Sequence, residues 1–468
     1  MPGTAWTDLT ATLREARGRF RNVTIRRDEL ARYLKPRLAP LEYYEGNYMY
    51  RFPMRTSDAL PAAWGSPGLD GSPEQVTEYF YPKSLYSYLE IDAKTAQIAK
   101  GKGTVEPGVA SALRDKITNA ERALRRVTEL SFWGDGSGRL AEVAKVVSTE
   151  TYSDIWVRPV FSYRPTYWED STKYIQKGYY VDFATYSEAA QSGTLVANAT
   201  GHLVTAVTAG TTGYASGLET EPHIRVTPAV PDGVTASCWV VLHNSLDAMP
   251  FGLMGFFGGS AGVAADTYED DADMPRYGLR TYGSVNSQTY PEAHRGIIYN
   301  KEKGLGTASL TLTPEVLDEG FILAHSHNPD IKIQVLIGNP YSLKAYMKTY
   351  TTIRPAQVVF TNGVPSPDYG FKYPTYTSYH GDGTIPLIGM WDCPRGWLFG
   401  IDFSPIMVGE VPGSDWSSGN RDGIWNDMLN IRGVKADTLV AAYRQYLMYV
   451  QHDRRSIVAW NMVNESPS

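Results

Sequence analysis

The chain has 468 residues, enough for two or three ordinary domains, with a formal charge of −6 and 20% charged residues. Forty-three glycines, 29 prolines and 32 tyrosines tilt it towards turns and strands, and two cysteines, Cys238 and Cys393, exclude a disulfide framework or a cysteine-rich metal site. The charge balance gives no general steer towards nucleic acid or membrane. No apolar run approaches the roughly 18 residues of a membrane span, and the N-terminus has no apolar signal core.

In chain order, residues 1–45 form an arm, whose first 40 residues carry nine basic residues from Arg14 to Arg37 against four acidic ones, a net +5. Such an arm suits a solvated helix with ion pairs, or a position near a polyanion. From Gly46 the residues alternate, with Tyr48, Tyr50, Phe52 and Met54 on one side, as in a half-buried strand. A breaker-rich tip, Leu60 to Pro73, contains Trp64. Gln75 to Ile91 then reads as a long returning strand or strand pair. The resulting extended hairpin is too long to be stable alone, because two-stranded ribbons are marginal in water, so it needs a further surface to pack on.

The longest periodic segment follows. Val105, Val109, Leu113, Ile117, Ala120, Leu124, Val127 and Leu130 recur at spacings of three and four and line one face of a long helix, with Thr104 as its cap and Pro107 in its first turn. The helix runs into Gly134-Asp135-Gly136-Ser137-Gly138 and then into a new apolar run, Leu140 to Ala144. The glycine loop lacks the Lys and Ser/Thr of a phosphate loop and the alternating acids of an EF-hand, so it reads as a structural turn.

Residues 150–245 carry repeated strand signals and read as a mainly antiparallel β region, followed by a glycine-rich and acidic loop over 246–283. Thr313 and Pro314 open a helix with Val316, Leu317, Ile322 and Leu323 directed inward. Ile331, Ile333, Val335 and Ile337 alternate as a core strand, and Asn339-Pro340 opens another helix. Helix, strand and helix in this order suggest an α/β unit. Residues 385–408 return to strand signals, and Tyr443 to Val450 with Ser456 to Val463 read as a closing hairpin.

No constellation argues for catalysis. His325, His327 and Asp330 fit no standard zinc spacing and suit the end of a helix. Asp266, Glu269, Asp270, Asp271 and Asp273 read as a solvated acidic loop, and no Gly-x-Ser-x-Gly elbow is present. No cofactor or metal is expected, and the two cysteines read as free buried thiols.

The order of these parts resembles the major capsid proteins of tailed bacteriophages, which have the Hong Kong 97-type capsid fold. The local pattern that carries the resemblance is Pro82 to Asp92, the helix from Thr104 to Leu130, and Phe132-Trp133-Gly134-Asp135-Gly136-Ser137-Gly138-Arg139-Leu140-Ala141. It implies an α+β fold with an N-terminal arm (1–45), an extended β-hairpin or E-loop (46–100), a long spine helix with a β-rich peripheral domain (101–285), an axial α/β domain (286–410) and a return to the peripheral domain (411–468). It further implies a non-enzymatic subunit that self-assembles into the hexamers and pentamers of an icosahedral shell around double-stranded DNA. Tyr48, Tyr50, Phe52 and Trp64 would then lie on a neighbouring subunit. The implied partners are copies of the chain, a separate scaffolding protein, a portal, packaged DNA and a decoration protein, without a membrane. The implied location is the virion, assembled in the bacterial host cytoplasm. The alternatives are a carbohydrate-active or carbohydrate-binding β protein, or another phage structural protein such as a tail component.

Overall fold

The computed structural model describes residues 34, 36–38, 41–44, 47–55, 75–92, 107–160, 171–187, 192–210, 221–236, 238–256, 281–282, 285–286, 296–304, 309–353, 360–361, 364–365, 375–377, 383–410, 415–417, 438–461 and 463–464. Trp64, the hairpin tip, Thr104, most of the basic arm and the acidic 266–273 stretch lie outside them. The chain divides into two compact units, Met1–Tyr50 with Tyr81–Leu130 and Val408–Tyr449, and Arg51–Phe80 with Ser131–Met407 and Val450–Ser468.

In the first unit, the Lys83–Asp92 strand pairs antiparallel with Thr438–Gln451 over ten residue pairs, from Lys83↔Leu447 to Asp92↔Thr438. Asp415–Ser417 pairs with the same long strand, and Pro36–Leu38 runs parallel to Val408, Gly409 and Glu410. The long helix spans Pro107–Trp133. Leu124, Thr128 and Leu130 are buried, whereas Asp115 and Arg122 are exposed, as the three-and-four spacing requires. The Tyr449 hydroxyl donates to the Thr128 carbonyl at 3.4 Å, so the return strand meets the helix within this unit.

Two large sheets lie in the second unit. Seven strands from Arg139–Ser148 to Trp239–Leu242 pair antiparallel throughout, and an additional pairing of His202–Thr208 with Tyr180–Ser187 closes six of them into a ring. Val143, Ile155, Val157, Phe183, Val204 and Ile224 fill it with no exposed surface. Closure removes the unpaired edges that make an open β-sheet sticky.

The other sheet is mixed. Its order is Ile297–Ile298, Ile457–Trp460, Leu398–Ile401, Val335–Gly338, Thr384–Gly389 and Thr375–Thr377. The Pro314–His327 helix packs on it through Leu317, Phe321 and Ala324, and the Pro340–Ile353 helix contributes Leu343 and Tyr346 to the same cluster. The approach of the first helix is close. A Cβ on Gly320 would lie 2.3 Å from Trp460, whose indole N–H donates to the Val316 carbonyl at 3.1 Å.

Several expectations change. Ile322 is 52% exposed, because it lies about 140° round the helix from Leu317, and Gly320, Phe321 and Ala324 form the buried face instead. Ile331 and Ile333 are buried in alternation, but the hydrogen-bonded strand begins only at Val335. The two terminal strands do not form a hairpin. Thr438–Gln451 joins Lys83–Asp92, whereas Ile457–Trp460 pairs with Leu398–Ile401 and Ile297–Ile298, and the Arg454–Ser456 turn hands the chain from one sheet to the other. For the returning segment Gln75 to Ile91 the strand pair holds, as Gln75–Phe80 and Lys83–Asp92, but the two strands lie in different sheets. Within the 246–283 stretch, Leu253, Met254 and Phe256 form a buried helical turn, a segment too short to show a period.

Candidate assembly elements and the glycine turn

The turn after the long helix is organised by its own side chains. Gly136 and Gly138 adopt φ of +90° and +80°, a left-handed backbone that glycine enters without Cβ strain. Gly138 has a second reason to lack a side chain, since a Cβ there would sit 2.2 Å from the Ser245 carbonyl oxygen. The Asp135 carboxylate accepts from the Ser137 amide at 3.0 Å and from the Ser137 hydroxyl. It also pairs with the Arg139 guanidinium, both side chains being almost fully buried. Arg139 Nε donates to Ser137 Oγ at 2.8 Å, and its guanidinium lies 4.5 Å from the centre of the Trp239 ring. The Asp247 amide donates to the Ser137 carbonyl at 3.0 Å, which seats the turn on residues 245–251.

The sequence shows the Asp135 to Arg139 spacing, but not that the pair is buried. Trp239 is distant in the chain and has no local signal. The described polar contacts of the turn join Asp135, Ser137 and Arg139 to one another and Ser137 to the Asp247 amide.

The ribbon formed by Asn47–Arg55 and Gln75–Phe80 is the second element. Tyr48 stands on its first strand. Tyr50 is buried, and burial raises its phenol pKa. Phe52 stacks on His452 with centroids 4.1 Å apart and an interplanar angle of 11°. Burial lowers the His452 pKa. Glu78, also on the ribbon, is fully buried, and its carboxyl is pushed up to about 8 by burial, against a smaller opposing pull from Arg454. Strand alternation singles out Tyr50 and Phe52 but not Glu78 and Arg454, which are far apart in the chain and carry no motif.

The remaining candidates are ordinary parts of the fold. His325 and His327 lie in the last turn of the Pro314–His327 helix, which is capped by Thr313 at one end and Asn328 at the other. Cys238 and Cys393 are free and buried. Among the described residues, no group of three His, Cys, Asp or Glu side chains converges, and no helix is long and apolar enough to cross a membrane. Tyr299 donates to Glu319 at 2.6 Å; burial and this bond raise the Tyr299 pKa, and the same bond together with Lys303 lowers that of Glu319.

No family model and no curated protein matches the chain in sequence. In structure it is similar to the capsid of Cyanophage A-1(L), at 10% identity and a TM-score of 0.43, covering 93% of this chain and 92% of that one. It is also similar to an encapsulin complex from Synechococcus elongatus, at 8% identity and a TM-score of 0.35, covering 95% and 90%. Mycobacterium phage Patience gives 9% identity and a TM-score of 0.35, covering 99% and 88%. The neighbours found in this way are phage capsids and encapsulin shells.

Proposed function

We propose that this chain is the repeated subunit of a phage-type icosahedral head, a major capsid protein that forms hexamers and pentamers around double-stranded DNA. The observation that carries the reading is the order of the elements: ribbon, edge strand, a 27-residue helix, a buried glycine turn, a β region and an α/β unit, with the Thr438–Gln451 strand returning to pair with the segment just before the helix. In this reading the Asn47–Arg55 and Gln75–Phe80 ribbon serves as the E-loop, with Tyr48, Tyr50, Phe52 and Trp64 in the inter-subunit hairpin. Pro107–Trp133 serves as the spine helix, and the mixed sheet with its two helices as the axial domain. The Gly134 to Gly138 turn has a geometric role and no chemistry of its own. The partners are copies of the chain, a scaffolding protein and portal during assembly, packaged DNA and a decoration protein, and the setting is the virion, assembled in the bacterial cytoplasm.

Electron microscopy and sedimentation of the purified chain, alone and with its scaffold, test this. Capsomers, shells or tubes are the expected products. A strictly monomeric species at high concentration under both conditions would overturn the reading. Deleting Leu60 to Pro73 should leave a folded subunit that assembles poorly, and normal shells from that deletion would remove the E-loop assignment.

A further inference from the structure

The ribbon residues Arg51–Phe80 group with the second unit, although the chain on either side, up to Tyr50 and from Tyr81, groups with the first. Contacts, and not chain continuity, therefore hold the ribbon to the second unit. One ring stack and one fully buried carboxyl tie ionisable groups of the ribbon region to the same short segment. On one strand Phe52 stacks face to face on His452; on the other, fully buried Glu78 lies in the field of Arg454, itself 1% exposed.

That receiving segment is firmly fixed. The His452 amide donates to the Pro405 carbonyl at 3.0 Å, the Asp402 amide donates to the Ser456 carbonyl at 3.0 Å, and Asn328 Nδ2 donates to Asp453 at 3.0 Å. The other charged groups nearby are engaged. Arg455 binds Asp453 through its amide at 3.0 Å and Nε at 3.1 Å, Asp402 accepts from the Ser404 amide at 2.9 Å, and Arg51 lies over Tyr79 on the ribbon itself. Arg454 is the charged side chain that acts on Glu78 from the facing element.

We propose that the foot of the ribbon is a proton-operated latch, in which Glu78 against Arg454 loosens in alkali and His452 against Phe52 loosens in acid, so that the ribbon is held to the second unit most tightly below neutrality. The physical basis is that each group is docked in a site that favours its neutral form. Ionising either one there costs desolvation that undocking relieves.

The signs follow from linkage. Glu78 has its docked pKa raised from 4.5 to about 8, so the docked state binds more protons, and its contribution to docking falls as pH rises across that window. His452 has its docked pKa lowered from 6.5, so its contribution is present above 6.5 and is lost as pH falls below it. The two slopes oppose one another under pH 6.5 and do not cancel above it.

The latch belongs to the single chain and is tested without assembly. Backbone hydrogen exchange of Gln75–Phe80 in the full chain, corrected for intrinsic rates, reads ribbon opening between pH 5 and 9. In the parent chain, opening should change little below pH 6.5 and rise roughly tenfold or more between pH 6.5 and 8. Glu78→Gln should abolish that rise and leave only acid loosening. His452→Phe should keep the rise and tighten continuously towards pH 5. Protection of the Arg139–Ser148 strand in each variant reports that the chain is folded. A parent profile that is flat, or that tightens above pH 6.5, would overturn the latch, as would a Glu78→Gln chain that retains the alkaline rise.

Discussion

Two buried arginine–carboxylate neighbours bracket the behaviour of this molecule. Asp135 and Arg139 are four residues apart, and the carboxylate also accepts from Ser137, so the ion is solvated by its own turn. Glu78 and Arg454 come from opposite ends of the chain, and burial raises the Glu78 pKa far above the carboxylate range. The first pair behaves as a fixed part of the fold and the second as a proton-dependent contact. The difference lies in the chain: a short-range pair is placed by its own turn, whereas a pair from opposite ends of the sequence depends on the burial that brings it together.

The largest effect that would sharpen this contrast is Asp135→Ala. It leaves Arg139 buried without its counter-charge and should cost about 3–5 kcal/mol in denaturant unfolding. A cost under 1 kcal/mol would break the comparison on its fixed side. Gly138→Ala should come next, at roughly 2–4 kcal/mol, because it adds left-handed strain to a Cβ placed against the Ser245 carbonyl. A thermal melt equal to that of the parent would mean that the turn relaxes freely.

Smaller effects test the other side. Thr313→Ala removes a cap that accepts from the Val316 amide and should cost about 1 kcal/mol by the same unfolding measurement, a local baseline for the mixed-sheet unit. Glu78→Gln keeps the shape of the neutral carboxyl, so its cost at pH 6 should be the smallest, below about 1 kcal/mol. Above pH 8 the variant should be more stable than the parent, since the parent then carries the ionised group. Equal pH profiles for the two chains would remove the proton dependence assigned to Glu78.

Local features are legible in the amino-acid sequence. The long helix, its glycine stop, the Thr313 cap with Pro314 and the run of strands between 139 and 242 each depend on neighbours within a few residues. The departures from expectation fall where distant segments choose partners. Tyr443 to Val450 and Ser456 to Val463 have the alternation of two hairpin strands, yet each has a better partner elsewhere, and strand alternation does not encode pairing. Ile322 faces outward because it lies about 140° round the helix from Leu317, and the neighbouring sheet selects the face that carries Phe321 and Ala324.

By itself the sequence determined the glycine stop of the long helix and the Thr313–Pro314 start of the next, because capping, glycine conformation and apolar period act over one or two turns of chain. The tertiary structure alone decided which strand lies beside which, that the Asp135–Arg139 pair rests on Trp239, and that the ribbon's Phe52 and Glu78 meet the one short segment that carries His452 and Arg454. Those outcomes depend on burial and electrostatics between residues far apart in the chain, and such quantities exist only once the chain has closed on itself.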